Sequence, residues 1–510
     1  MRTSRSATTA CCATLACSGK RVLGVLLFLL GWLAVPGPAP GDTLPLRAVR
    51  ALPPVVAPAD TLVRILPCAG GGARARVAAV LLVGNRVTRA RILRAELNIC
   101  EGDTLDLAEL PARLEANRRR LFNLQLFHAV LVQASCQGNG QLVLLFVVQE
   151  RLYTFPVPIF SIADRNFRSW LDRPDRWRRL DYGLHLVRNN FRGRNEQLTA
   201  NLQLGFNPKY EVFYEAPGLG RTRRVGVGGG FSFSQSRSVD FRTLDDRLQA
   251  YRPADAYAIQ RLYASGGLRL RHTVQFLTAF DVSYHREQIL DSVNFDNLNY
   301  FLGRTAREFL DFSLVSTLNQ RNTFAYPLTG QFAQGLLAHR VFLNPDLPAL
   351  TTLRLVYDHY FSLGHRFYYA FELNGQVRLT RALAYADARA LGNDALVRGY
   401  DAYVVDGRHY GLVQQGVSYR LFNASEIHLA GINNPKINTI PLVAYLNLFA
   451  DAGYVVAPGA PPGNQLPNHL LRSVGLGLHL VTYYDRVFTV EYTLNGLGQA
   501  GYFFRSTFPI

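Results

Sequence analysis

From Arg151 to the C-terminus, apolar and polar residues alternate with a period of two, stretch after stretch. Leu198, Ala200, Leu202, Leu204 and Phe206 alternate with Gln197, Thr199, Asn201 and Gln203. Tyr369, Phe371, Leu373, Val377 and Leu379 alternate with Glu372, Asn374, Gln376, Arg378 and Thr380, and Phe488, Val490, Tyr492 and Leu494 with Thr489, Glu491 and Thr493. Successive side chains of an extended strand point to opposite faces, so each segment has one apolar and one polar face. In water the apolar face must be buried against a second layer. In a bilayer it meets lipid, and the polar face lines a lumen. Here the polar faces carry Glu, Gln, Asn and Arg in mid-strand, and no further helical pattern offers a covering layer. The reading is mainly β: a transmembrane antiparallel barrel over residues 152–510, of roughly sixteen strands of about ten residues each. An even strand count closes such a barrel and leaves no edge.

Composition agrees. Aromatic residues make up 12%, Gly numbers 42, and mean hydropathy is +0.02. Past residue 40 nothing approaches the roughly 18 consecutive apolar residues that a membrane helix needs. The formal charge is +18, and only Lys20, Lys209 and Lys436 are lysines. The arginines are scattered over many strands and loops, whereas a nucleic-acid footprint gathers them into one stripe. The excess reads as Arg written for Lys, with no nucleic-acid partner.

Lys20 and Arg21 precede the apolar run Val22 to Val35, which ends in Pro-Gly-Pro-Ala-Pro-Gly. A charged start, a short apolar run and a small-residue exit predict a secretory signal peptide over residues 1–41. Cleavage removes Cys11, Cys12 and Cys17 and leaves Cys68, Cys100 and Cys136, so at most one disulfide forms; sequence does not select the pair. No Cys-x-x-Cys pattern or His cluster points to a metal. Residues 42–75, rich in Ala, Pro and Gly, read as a linker.

Between 76 and 151 the texture is different. Val77 to Val83 is an apolar strand that stops at Gly84-Asn85. Helical spacing follows over Thr88 to Leu97, with Thr88 as N-cap, and over Leu105 to Phe122. Two strands follow, Ala129 to Val132 and Leu142 to Val148. The expected core is Val80, Leu82, Ile92, Leu97, Leu114, Leu121, Phe127, Val130 and Leu144. This β-α-α-β-β order resembles a POTRA domain. The resemblance extends to Glu-Gly-Asp between the helices, Arg-Arg-Leu-Phe-Asn-Leu-Gln-Leu-Phe into the second strand, and Gln-Glu-Arg at the end.

Four short motifs mark the barrel. Asn189-Asn190-Phe191-Arg192-Gly193-Arg194 looks like an Asn-x-x-Gly-x-Gly turn, with Asn195 where a second glycine is common. Tyr326-Pro327-Leu328-Thr329-Gly330 is a Pro-x-x-Gly turn opening a strand. Val397-Arg398-Gly399-Tyr400 lies in a long non-alternating stretch, five strands before the C-terminus. Phe449-Ala450-Asp451-Ala452-Gly453 is a Phe-x-Asp-x-Gly strand. Period two puts Tyr445, Asn447, Phe449 and Asp451 on one face, and an acid facing lipid is costly, so that face points inward. Together the motifs resemble the BamA/TamA family of outer-membrane assembly proteins. The resemblance implies that the loop with Val397, Arg398, Gly399 and Tyr400 folds back into the lumen. There Arg398 would meet a wall made by Phe449, Asp451 and Gly453. One departure weakens this: Ser418 precedes Tyr419-Arg420-Leu421 where the family often has Glu, which removes an acidic contact.

Gly496-x-Gly498-x-x-Gly501 matches the dinucleotide fingerprint, but a strand rather than a helix follows it, so it reads as a hairpin turn. No catalytic constellation stands out, Glu372 and Glu491 are read as lumen lining, and no enzyme activity, cofactor or metal is expected. The resemblance implies a protein of the outer membrane of a diderm bacterium with its POTRA-like domain in the periplasm. Its partners would be unfolded outer-membrane or secreted client proteins, lipid, and other assembly-machine subunits. Pro156 and Pro158 lie in the first strand candidate, near 155–163, and lack the N–H a ladder needs, so a weak seam against the last strand, near 500–510, is expected. With one POTRA-like domain, an accessory assembly factor is the leading reading. Two-partner secretion is the alternative, and the fused POTRA-like domain argues against a passive porin.

Overall fold

The computed structural model describes residues 63–66, 73–162 and 176–507, except for the short segments 138–139, 221, 254, 325, 393, 429–438 and 483–485. The expected signal peptide and most of the expected linker, Cys68 included, lie outside the described residues.

The N-terminal domain is a five-stranded sheet in the order β1-β4-β5-β2-β3 with two helices. Its strands are β1 (Val63–Ile65), β2 (Arg74–Val83), β3 (Thr104–Asp106), β4 (Phe127–Gln137) and β5 (Gln141–Glu150). Its helices are α1 (Ala90–Arg94) and α2 (Leu110–Phe122). Val80, Leu114, Leu121, Phe127, Val130 and Leu144 are buried in one cluster, and Leu82 and Leu97 pack against it half-buried. Ile92, expected in this core, is buried outside the cluster, and its neighbour Leu93 enters it instead. Cys136 is disulfide-bonded and Cys100 is buried.

Three details correct the sequence reading. The expected linker, 42–75, is not wholly irregular: β1 lies parallel to β4, with Val63 opposite Val132 and Ile65 opposite Ala134. The backbone N–H of Leu66 adds a bond to the Ala134 carbonyl at 2.9 Å. An edge strand has a row of unpaired backbone groups, and even a short Val-Arg-Ile segment can satisfy some of them. The second helix starts at Leu110 rather than Leu105, because Thr104–Asp106 is used as a strand against Arg74–Arg76. Pro sits in its first turn, where a missing N–H costs nothing. The first helix is also shorter than expected. Thr88 does not cap it; Arg89 occupies the cap position without a side-chain bond, and the Thr88 hydroxyl instead meets Tyr153 and Asn190.

Among the described residues, the remainder is dominated by a sixteen-stranded antiparallel sheet running from Thr154–Ile162 to Ala500–Thr507, each strand paired with its neighbours along the sheet. Its loops add two small two-stranded sheets, Val239–Leu244 with Arg247–Tyr251 and Arg389–Leu391 with Val405–Asp406. The alternation maps onto it directly. In the thirteenth barrel strand (Thr439–Val456), Leu446 and Leu448 are exposed, while Tyr445, Asn447, Phe449 and Asp451 are buried. The arginines that look scattered in sequence converge on the inner face. Arg269 lies between Glu215 and Asp281, each at 2.8 Å. Arg307 joins Glu287 (2.7 Å) to Asp387 (2.5 Å), and Arg340 joins Asp311 (3.0 Å) to the same Asp387 (2.7 Å).

Closure differs from the even-count expectation. Among the described residues no ladder joins the first barrel strand to the last, so the sheet keeps two edges. The first strand pairs only with the second (Leu180–Phe191), Pro156 standing opposite Leu186 and Pro158 opposite Leu184. Each proline removes a donor that a closing ladder would use. On the side away from the N-terminal domain, loops tie the mouth together: the Asp246 carboxylate accepts from the backbone N–H of Gln465 (2.9 Å) and Leu466 (3.2 Å). One loop includes a six-residue helix, α3 (Asp291–Asp296), too short to leave a helical period in the sequence.

Candidate functional site

The long connection 380–408, between the eleventh (Phe367–Leu379) and twelfth (His409–His428) barrel strands, folds back into the lumen. Val397 is 1% exposed and packs in an apolar cluster with Leu391, Tyr410, Leu412 and Leu471. Arg398 follows. Its Nε and Nη2 donate to Asp451 Oδ2 and Oδ1 at 2.8 and 2.5 Å, and its backbone N–H donates to Oδ2 at 3.1 Å. Gln414 Nε2 adds a fourth bond to the same carboxylate at 3.0 Å. The guanidinium also lies over the Phe449 ring, 3.8 Å from its centroid. A planar fork that donates two parallel charge-assisted bonds to one carboxylate while stacking on a ring face is a geometry that arginine offers and the compact lysine ammonium does not.

The flanking residues fit closely. Gly399 has φ +86°, and a Cβ there would meet Thr493 Cγ2 at 2.6 Å. Its carbonyl accepts from Asn495 Nδ2 at 2.9 Å. Tyr400 is 3% exposed; its hydroxyl accepts from the N–H of Gly496 at 3.1 Å and lies 3.4 Å from the Arg472 carbonyl. Gly453 leaves room for the loop, since a Cβ there would meet Val397 Cγ2 at 2.6 Å.

Residues 190–482 match the Omp85 superfamily domain, more than half of the chain, and residues 75–151 match the POTRA family, described as the surface antigen variable number repeat. The chain belongs to the Omp85 superfamily. No curated protein matches it by sequence. Among solved structures, CdiB from Escherichia coli is similar at 13% identity with a TM-score of 0.51, over 85% of this chain and 76% of that one. BamA from Haemophilus ducreyi lacking POTRA domains 1–3 is similar at 15% identity with a TM-score of 0.47, over 85% of this chain and 84% of that one. At such identities the likeness to CdiB concerns the fold alone.

In this Omp85 barrel several contacts of the loop were not singled out from sequence. Glu491, on the fifteenth strand (Arg486–Asn495), puts Oε1 3.6 Å from Arg398 Nη1. It supplies the second acid that Ser418 fails to provide; Ser418 instead accepts from Asn447 Nδ2 at 2.8 Å. The other oxygen of Glu491 binds Arg505 on the last strand, and Arg505 also reaches Asp401 of the loop at 2.7 Å. The loop is thus tied to the strand that borders the open edge. Period two carried a signal for these residues: Glu491, Thr493 and Asn495 share the inner face, and Arg505 alternates with the exposed Tyr502 and Phe504.

The POTRA domain docks on the turns at the barrel's other end. Glu96, just past α1, has a fully buried side chain between Arg271 and Arg223, at 2.7 and 3.3 Å. Burial pushes the Arg223 guanidinium below its usual range, and Glu96 beside it works in the opposite direction. Thr88 accepts from Asn190 Nδ2 at 2.8 Å, and the N–H of Arg89 donates to the Gly193 carbonyl at 3.0 Å. The Asn-x-x-Gly turn is therefore part of this interface. Asn195, where a second glycine is common, adopts φ +59°.

Proposed function

We propose that this protein inserts or translocates unfolded client proteins at the outer membrane of a diderm bacterium, as an accessory member of the assembly apparatus, with its POTRA domain in the periplasm. The observation that carries this reading is that, among the described residues, the first and last barrel strands each have a ladder on one side and none joining them to each other. Free backbone N–H and C=O groups are costly in a lipid-facing wall. A client segment that adds as a strand satisfies them through backbone bonds and needs no particular sequence. The POTRA sheet supports the same mode of binding, because β1 and β3, its two outer strands, are each three residues long. The loop would act as a latch that keeps the wall in shape while the edges part. The work is mechanical: no bond is made or broken, and no cofactor or metal is needed.

The test places a photo-crosslinking residue at Val157, exposed on the first strand, in the full-length protein in lipid vesicles. A purified unfolded outer-membrane β-barrel protein is then added. Adducts are expected at Val157 and not at Leu353, an exposed position on the tenth strand (Leu350–Gly364). Equal labelling at both, or none at Val157, overturns the reading. Capture of an exported chain from lumen-facing Tyr368, whose ring lies near the inward Tyr445, and not from Val157, would replace insertion by dedicated secretion.

A further inference from the structure

The turn at Tyr326–Gly330 belongs neither to the latch loop nor to the strands that hold it. It lies in the connection 320–329 between the eighth (Ala306–Asn319) and ninth (Gly330–Phe342) barrel strands, at the POTRA end. Instead of stopping at the rim it turns inward. The Tyr326 hydroxyl lies 3.0 Å from His479 Nδ1 and 3.3 Å from Ser418 Oγ, and its ring stacks on Tyr445 with centroids 4.6 Å apart. Ser418, Tyr445 and His479 belong to the twelfth, thirteenth and fourteenth (Leu470–Thr482) strands. One side chain thus bridges the lumen from the wall where it originates to three consecutive strands of another part.

The connection is braced for this. Asn322 Oδ1 accepts from the N–H groups of Leu328 (3.0 Å) and Thr329 (3.3 Å), and Thr323 Oγ1 donates to the Tyr326 carbonyl at 2.8 Å. Pro327 fixes the backbone just after the inserted residue. The outer part faces the POTRA domain, where Asn123 Nδ2, at the end of α2, lies 3.5 Å from the Arg321 carbonyl.

Beyond His479 the contacts lead to the latch. His479 Nε2 faces Glu491 Oε1 at 3.5 Å, the same oxygen that lies 3.6 Å from Arg398 Nη1. A neutral imidazole has one N–H; when the tyrosine donates to Nδ1, the proton sits on Nε2 and points at that carboxylate. We propose that Tyr326 is a positioning residue for the latch. From the POTRA side it fixes the ring of His479, which fixes Glu491, which holds the second acid in place for Arg398. Displacement of the turn is then felt at the loop. This rests on the reading of Arg398 and Asp451 as a latch.

Hydrogen exchange of the loop, measured by mass spectrometry on the full-length protein in vesicles, reads this out, because the N–H of Arg398 is held by Asp451. Tyr326→Ala should speed exchange across 395–403 by roughly tenfold. Tyr326→Phe keeps the ring on Tyr445 but frees His479, and should speed it severalfold. His479→Ala should match Tyr326→Phe, and combining the two should add little, as groups acting in series do. Unchanged loop exchange in Tyr326→Phe, or fully additive effects of the pair, would overturn the proposal. Heat-modifiable gel mobility checks that each variant is a folded barrel, and the mild Tyr326→Phe variant decides if Tyr326→Ala is not. Arg398→Ala separates the two ideas: if it leaves loop exchange unchanged, the latch reading itself fails.

Discussion

Arg398 and Asp451 meet edge to edge across 53 residues of chain, with Nε on Oδ2 at 2.8 Å and Nη2 on Oδ1 at 2.5 Å. The acid side chain is fully buried and the arginine is 16% exposed. Breaking one side of such a pair leaves an uncompensated charge, at about 3–5 kcal/mol when fully desolvated, and a wet lumen lowers that figure. Arg398→Ala should therefore impair client handling more than it lowers the amount of barrel in the membrane. The charge swap, Arg398→Asp with Asp451→Arg, should recover part of what either single change loses. Full recovery is not expected, because Asp451 also accepts from Gln414 and from the loop backbone. Strictly additive single and double variants, compared by membrane-resident amount and by activity, would argue against the pair.

Two glycines test the fit of the loop without touching a charge. Gly399→Ala combines a positive φ with a Cβ 2.6 Å from Thr493, and Gly453→Ala pushes into Val397 at 2.6 Å. Each should destabilise the docked loop by more than about 1 kcal/mol. The readout is faster hydrogen exchange over 395–403. Gly364→Ala, with φ +83° and open space around it in a turn that does not touch the loop, should leave that exchange unchanged.

Glu96 lies at the joint between the POTRA domain and the barrel. Glu96→Ala strands Arg223, a residue 3% exposed, without its counter-charge. The expected cost is about 3–5 kcal/mol, most of it desolvation of the orphaned charge. The domain should move away from the barrel turns. Spin labels on α2 and on the turn near Gln275 should report a longer and broader distance. An unchanged distribution would mean that the contacts of Thr88 and Arg89 suffice.

Leu114 tests the POTRA core. It is fully buried on α2, so Leu114→Ala should cost roughly 2–5 kcal/mol. The loss should appear as weakened hydrogen-exchange protection of β4 and β5, with the barrel strands unaffected. Unaltered protection would remove that helix face from the core.

Much of this fold was legible because it rests on local periodicity. Period two marks the barrel strands, the 3.6-residue spacing marks α2, and lipid makes the inward face of Asp451 predictable. What was illegible is pairing between distant short segments. Val63–Ile65 is three residues inside an Ala/Pro/Gly-rich stretch and becomes a strand only because β4 has an edge to fill. Thr104–Asp106 carries too little pattern to compete with the helical spacing that follows it. In the site, Arg398 and Asp451 stood out through their motifs. Glu491, His479, Arg505 and Tyr326 belong to no motif that names a partner, and only the curvature of the sheet brings them together. The Glu missing before Tyr419 looked like a lost contact, yet the wall supplies an acid from a different strand.

If the edge strands of this barrel help an unfolded client into a membrane, the protein must speed insertion. The most direct measurement is the rate at which a purified unfolded outer-membrane β-barrel protein acquires heat-modifiable mobility in vesicles. Vesicles with the full-length protein, with its Arg398→Ala variant, and without protein are compared. Insertion should be at least severalfold faster with the protein than without, and Arg398→Ala should lose most of that gain. Equal rates with and without the protein, across clients and vesicle compositions, would contradict it.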